Sequence, residues 1–168
     1  MKKAFTLMEL IISIGILSII MIFLYESYSA LNKSNSFYEE KADNIRYEQL
    51  RKKVLFLDFS LALSESIKIL NQNKNEDIVF LQSTNSIHNR YNPYIAYIFN
   101  NSKLYRLESL KEFEKYPLSS DSDFSFEYFG EAKSFRVYES SKDIKKQLLV
   151  HVDFEKDTDI LMKIKILE

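Results

Sequence analysis

Glu9 is the one carboxylate inside an otherwise apolar run, FTLMELIISIGILSIIMIFLY, which follows Met1, Lys2, Lys3 and Ala4. A carboxylate within a membrane span costs about 2.5–3.5 kcal/mol on insertion scales, so it calls for a partner or a function. A free amino terminus is the obvious partner, since it supplies an ammonium at the same depth. The two histidines, His88 and His151, lie far apart with no cysteine in the chain and no neighbouring triad pattern, and both read as surface residues: His88 in a polar loop, His151 on the wet face of a strand. Asp121 and Asp123 in one loop, and Asp153, Glu155, Asp157 and Asp159 around another turn, carry oxygen ligands of the kind Ca²⁺ takes. Neither segment has the glycine-bearing twelve-residue loop of an EF-hand, so both read as solvated turns, and no metal or cofactor is expected. No nucleophile and base stand together, so an enzyme is not expected.

The element that must position Glu9 is a membrane helix. Phe5 to Tyr25 is 21 residues, and at ~1.5 Å rise per residue that crosses a ~30 Å hydrocarbon core. Lys2 and Lys3 precede the run and Glu26 follows it, an asymmetry that places the amino end in the cytoplasm and the remainder outside. A secretory signal peptide also begins with lysines and an apolar core. Against it stand the length of the run, the charge at Glu9, and the absence of a small-residue cleavage pattern before Tyr25 to Tyr28. Gly15, with Ser13 and Ser18 nearby, would let another helix approach closely.

Lys2, Lys3, Ala4, Phe5, Thr6, Leu7, Glu9 and Leu10 resemble the type IV prepilin motif of pilins and of the pseudopilins of type II secretion. The resemblance implies that prepilin peptidase cuts between Ala4 and Phe5, that Phe5 is then N-methylated, and that Glu9, four residues on, acts in assembly. The family usually has glycine where this chain has Ala4. One helical turn separates Phe5 from Glu9; in a stack of axially shifted subunits, a neighbour's terminal ammonium can meet the Glu9 carboxylate. An isolated single-pass anchor, with Glu9 protonated or reaching the interface, is the competing reading.

Length allows one modest soluble domain beyond the membrane segment. Net charge is −1, and losing Lys2 and Lys3 would lower it by two to −3; neither value suggests a nucleic-acid surface. Without cysteine the fold rests on packing, and 13 Phe and 11 Tyr with two Gly and two Pro suit a β-rich domain.

The pattern predicts an α+β chain: leader 1–4, transmembrane helix 5–25, a soluble continuation of the same helix over 26–70, and a β-rich periplasmic domain over 71–168. From Glu26 to Leu70 there is no Pro or Gly, and Tyr28, Leu31, Tyr38, Ala42 and Ile45, then Leu50, Val54, Leu57 and Leu61, recur at helical spacing. After the polar stretch Asn71 to Asp77 alternation takes over. Strands are expected at Ile78–Gln82, Tyr94–Phe99, Leu104–Glu108, Phe124–Phe129, Ser134–Glu139, Leu148–Phe154 and Ile160–Ile166, forming an antiparallel sheet. Phe124, Phe126 and Tyr128 are expected on a core face, with Ser125 and Glu127 wet.

The late helix and the hairpin YIAYIFNNSKLYRLES are similar to J-type minor pseudopilins, with Leu104, Tyr105 and Arg106 carrying the match. That group commonly has Arg-Asp where this chain has Leu57 and Asp58, and K-type subunits usually lack the carboxylate at the Glu9 position. The resemblance implies a minor subunit at or near the tip of a thin periplasmic filament. The machinery would be that of type II secretion or of DNA uptake. Its partners would be prepilin peptidase, other minor and major pilins and the inner-membrane assembly platform, with the membrane engaged through residues 5–25. The contrasting expectation is a periplasmic binding module tethered by a single helix.

Overall fold

The computed structural model describes residues 6–118, 123–140 and 147–167. It shows a long amino-terminal helix, α1 (Leu7–Ser60), and seven strands. Contacts divide the chain after Arg46 into an amino-terminal unit and a second unit beginning at Tyr47. In the first unit the chain is helical from Leu7 and its side chains are exposed throughout. Gly15 is the only glycine in α1 and no proline occurs there, so little in the local sequence opposes helix.

The second unit opens with the last turns of α1, which bury Val54, Leu55, Asp58, Phe59 and Ser60. The strands are β1 (Lys68–Asn73), β2 (Glu76–Gln82), β3 (Tyr94–Asn100), β4 (Lys103–Ser109), β5 (Phe124–Glu139), β6 (Gln147–Phe154) and β7 (Ile160–Lys165). They form one sheet in sequence order, with every consecutive pair antiparallel. A parallel bridge from Glu76 to Phe135 also links β2 to β5.

One face carries the main core. Leu55 and Phe59 of α1 pack with Val79, Leu81, Ile95, Tyr97 and Leu104, and with Phe135, Val150, Val152 and Ile164 from the later strands. Full burial of such side chains stabilises by roughly 1.5–3 kcal/mol each. The Phe59 ring stacks on Tyr97 with centroids 5.6 Å apart, and Phe129 meets Tyr97 edge-on at 5.6 Å. On the other face Ile78, Phe80, Ala96, Ile98 and Leu107 form a smaller cluster with Phe113 from the segment after β4; the Phe80 and Phe113 rings stack at 5.8 Å.

The α+β architecture is as expected from the periodicities, and four details differ. The helix ends at Ser60, ten residues short of Leu70, although no Pro or Gly stops it. Tertiary bonds end it instead: Leu63 N–H donates to Gln82 carbonyl at 2.9 Å, Ala62 bridges to Ser83, and the Ser60 carbonyl accepts from Leu167 N–H at 2.9 Å. Residues expected at the helix end and in the polar stretch form β1, because Lys68–Asn73 has a strand partner in β2 and Ile69 packs on the core. The two strands expected over 124–129 and 134–139 are one continuous strand, β5, whose first half pairs with β4 and whose second half pairs with β6.

Gly130 sits at the junction of those halves, beside a register shift against β4. Its φ is +134°, and a Cβ there would lie 2.6 Å from Arg51 Nη1 and 3.1 Å from Phe154 Cε1. Only glycine suits that backbone and that space. Arg51 uses the room to donate to the Phe129 carbonyl at 2.7 Å, to pair with Asp157, and to lie over the Phe154 ring.

The fourth difference concerns the expected core face of β5. Phe126 is 67% exposed and Tyr128 52% exposed. Alternation assigns these residues to one face correctly, since Tyr128 pairs with Tyr105 and Phe126 with Leu107. It does not say what covers that face, and the cover from Phe113 reaches Phe80, Ala96 and Leu107 rather than the outer part of β5.

Candidate functional site

The helix begins beside Thr6, and the first turn is closed by a reciprocal cap. Glu9 N–H donates to Thr6 Oγ1 at 3.3 Å, while Thr6 N–H and its hydroxyl donate to Glu9 Oε2 at 2.9 and 3.0 Å. This is a capping box, T-x-x-E, readable from Thr6, Leu7, Met8 and Glu9 though not drawn from them above. Glu9 therefore orders its own helix start as well as presenting a carboxylate near the amino end. Its second oxygen, Oε1, makes no hydrogen bond among the described residues.

Further along, the Ser13 hydroxyl donates to the Glu9 carbonyl at 2.7 Å and the Ser18 hydroxyl to the Ile14 carbonyl at 2.8 Å. Both polar groups are thereby satisfied within the helix, as an apolar environment demands. Nothing lies within 4 Å of a Cβ built on Gly15, so the notch beside it is open. From Leu7 to Tyr25 the large apolar side chains are all exposed, and the helix is long and apolar enough to cross a membrane. Ala4 and Phe5, the expected cleavage pair, lie outside the described residues.

A second cluster holds the helix end against the sheet. Arg106 on β4, fully buried, donates from Nε to Asp58 Oδ2 at 2.6 Å, from Nη2 to Asp58 Oδ1 at 3.2 Å, and from Nη1 to Glu108 Oε2 at 2.8 Å. The Tyr97 hydroxyl donates to Asp58 Oδ2 at 2.6 Å, and Asn85 Nδ2 to Asp58 Oδ1 at 2.6 Å. Glu108 also accepts from the Ser86 hydroxyl at 2.5 Å and from Ile87 N–H at 3.1 Å. Helix, sheet and the loop after β2 thus meet on three buried charges.

Their titration follows from these contacts. Burial opposes the charge on Arg106, but the bonds and charge of Asp58, with Tyr97 and Glu108, outweigh it and hold its pKa above the ordinary value. Burial pushes the Glu108 carboxyl up, yet Ser86, Arg106 and Ile87 N–H together hold it below the usual range. Tyr97 is driven well above its ordinary pKa, by burial first and by the Asp58 charge second. A closed, saturated set of this kind offers no group to a substrate; it joins elements. Arg106 was singled out by the hairpin resemblance and Asp58 by its place in the late helix. That the two pair is a fact of the tertiary structure.

The remaining candidates stand apart. His88 Nε2 lies 3.5 Å from Glu127 Oε1, at the rim of the loop after β2. His151 is on β6 between Arg136 and Leu161 of its neighbours, on the face away from the main core, as the alternation predicts. Asp121 is outside the described residues, and Asp123 is exposed. Asp153 is answered by Lys133 at 3.4 Å and Asp157 by Arg51. Among the described residues no three His, Cys, Asp or Glu side chains gather where a metal ion could be held.

Residues 1–25 match the family model described as the prokaryotic N-terminal methylation motif. The match supports a type IV pilin-like protein. It implies processing by prepilin peptidase and assembly with other pilins, and with the apolar helix it is consistent with a membrane-anchored protein. Type IV pilin-like proteins are structural rather than enzymatic. No curated protein and no solved structure matches the chain.

Proposed function

We propose that the chain is a minor pilin or pseudopilin, a structural subunit at or near the tip of a periplasmic filament in type II secretion or DNA uptake. Prepilin peptidase cleaves between Ala4 and Phe5 and methylates Phe5. Residues 5–25 anchor the subunit in the inner membrane with the β-domain in the periplasm. Sibling minor and major subunits and the assembly platform are its partners. The observation that carries this reading is the methylation motif over residues 1–25, whose apolar stretch from Leu7 to Tyr25 is helical and exposed and holds one carboxylate, Glu9, in its first turn.

An exposed apolar helix in a crowded membrane has two uses, anchoring and packing against other helices. The capped Glu9 favours the second. A carboxylate that has hydrogen-bond donors on one oxygen only retains acceptor capacity for a neighbour's terminal ammonium, and the pair is strong where water is excluded. Apolar side chains continue along α1 beyond the span, with Tyr28, Leu31, Phe37, Tyr38 and Ile45 all exposed; in a helical filament core these pack against adjacent subunits.

The deciding experiment is mass spectrometry of the membrane-extracted protein. The expected amino terminus is N-methylated Phe5. A terminus at Met1, or one beyond Tyr25, refutes the reading and leaves the tethered module or a cleaved secretory signal.

A further inference from the structure

Strand β5 is longer than either of its neighbours, and this leaves part of one edge bare. Its first half pairs with β4 on one side, while β6 joins the other side only from Ala132 onward. Near Gly130 that second side is taken up. The Glu131 carbonyl accepts from Glu155 N–H at 3.0 Å, and the Phe129 carbonyl accepts from Arg51, which also pairs with Asp157 of the β6–β7 turn. From Phe124 to Tyr128, about 16 Å of strand at ~3.3 Å per residue, the backbone bonds to nothing but β4 among the described residues.

Unpaired strand edges invite pairing with another chain, and folded proteins guard them with charge, lysine above all, or with proline. The two end strands of this sheet follow that rule: β1 exposes Lys68, Asn71, Gln72 and Asn73, and β7 exposes Lys163 and Lys165. The bare edge of β5 has no lysine, arginine or proline. On one face it exposes Phe126 and Tyr128, the latter with its ring 5.8 Å from that of Tyr105. On the other face Ser125 accepts from Arg90 Nη2 at 3.0 Å. Beside it Glu127, with its side chain 43% exposed, faces a single ionisable neighbour among the described residues, His88, whose Nε2 lies 3.5 Å away and has no hydrogen-bond partner.

A strand added here would present alternate side chains to these two faces. Apolar residues two apart would lie beside Phe126 and Tyr128 and remove them from water, and a lysine or arginine between them would meet the Glu127 carboxylate. A second copy of the same edge fits worse. In an antiparallel ladder centred on Phe126 or Glu127, the two Glu127 carboxylates stand diagonal or opposite to each other, inside the ~8–10 Å screening length, and repel. We propose that the edge from Phe124 to Tyr128 is a β-addition site for an extended segment of another protein, one that carries a basic residue between two apolar ones. Main-chain hydrogen bonds supply the affinity, and the aromatic pair with Glu127 supplies the choice of sequence. The site is independent of how the amino terminus is processed, so its failure would leave the filament reading standing.

The probe is a blocked peptide, Thr-Val-Lys-Val-Thr, with a photoreactive group at one end, added to the full-length chain in detergent micelles. Mass spectrometry then locates the label, which is expected mainly on the bare edge or on its neighbours Tyr105 and His88. Glutamate in place of the peptide lysine should lower that label roughly tenfold, the effect of one like-charge juxtaposition. Glu127→Lys should reverse the preference between the two peptides. Methylating alternate peptide nitrogens separates main-chain pairing from side-chain adhesion. One alternate set should abolish the label and the other should spare it, because successive N–H groups of a strand point to opposite sides. Phe126→Lys, at an exposed position, should leave the circular dichroism unchanged and lower the label by guarding the edge as Lys163 guards β7. No label, label mainly on α1 or β7, equal label from both peptides, indifference to methylation, or displacement of the peptide by self-association of the chain overturns the proposal.

Discussion

Replacing Arg106 by Met keeps an unbranched apolar stem in the same space and removes the only cation among three buried charges. Three charge-assisted hydrogen bonds disappear, at 2.6, 2.8 and 3.2 Å, each worth about 1.5–3 kcal/mol in mutational series. Part of that loss is offset, because the guanidinium no longer has to be desolvated. What remains is two fully buried carboxylates, Asp58 and Glu108, without the cation both accepted from. Removing one partner of a buried pair costs about 3–5 kcal/mol, a large share of the ~5–15 kcal/mol that holds a domain together. Urea denaturation of the detergent-solubilised full chain, followed by circular dichroism, should show that loss.

The pH dependence supplies an independent check. In the parent, Glu108 is held below its unfolded value by Ser86, Arg106 and Ile87 N–H against the opposing effect of burial. Its contribution is therefore fully present above the ordinary carboxylate pKa of about 4.3 and is lost as pH falls through the lowered folded value. In Arg106→Met the lowering of Glu108 should shrink, because burial is then opposed by Ser86 and Ile87 N–H alone, so acidification should cost the variant less stability than it costs the parent. Asp58→Leu combined with Arg106→Met should be less destabilised than the sum of the single changes, by a coupling energy of about 1–3 kcal/mol. An Arg106→Met protein within about 1 kcal/mol of the parent at neutral pH would refute the claim that this cluster joins helix to sheet.

Gly130→Ala should destabilise by about 1–3 kcal/mol, since it forces a side chain into a positive φ against Arg51 and Phe154; a matched denaturation curve checks it. Thr6→Val removes the hydroxyl of the capping box while keeping shape, and should lower helix stability at the amino end by about 1 kcal/mol. Membrane insertion should be unchanged, as read by carbonate extraction. Glu9→Leu should insert and be cleaved normally yet lose co-purification with sibling pilins, and Glu9→Gln should lose less, because an amide still accepts a hydrogen bond; equal capture by all three forms would reduce Glu9 to its capping role. Alanine at both His88 and His151 should leave co-purification unchanged, since neither is placed among groups that could use it.

The amino-terminal reading was accessible from residues alone because its determinants are local and one-dimensional. A 21-residue apolar run, lysines on one side and a carboxylate one turn in keep their meaning whatever the rest of the chain does. The helical and alternating periods of the later segments survive folding for the same reason, and so the helix-then-sheet order and most strands were legible. The capping box was legible too, in Thr6 and Glu9. What depended on residues far away in sequence was not. Helix α1 stops at Ser60 because Gln82, Ser83 and Leu167 supply competing hydrogen bonds. Lys68–Asn73 is a strand because β2 lies beside it. Phe126 and Tyr128 stay exposed because the cover over their face ends before reaching them, and Asp58 finds Arg106 across 48 residues because helix and sheet close on each other. Periodicity names a face, but only the packed chain decides what that face meets.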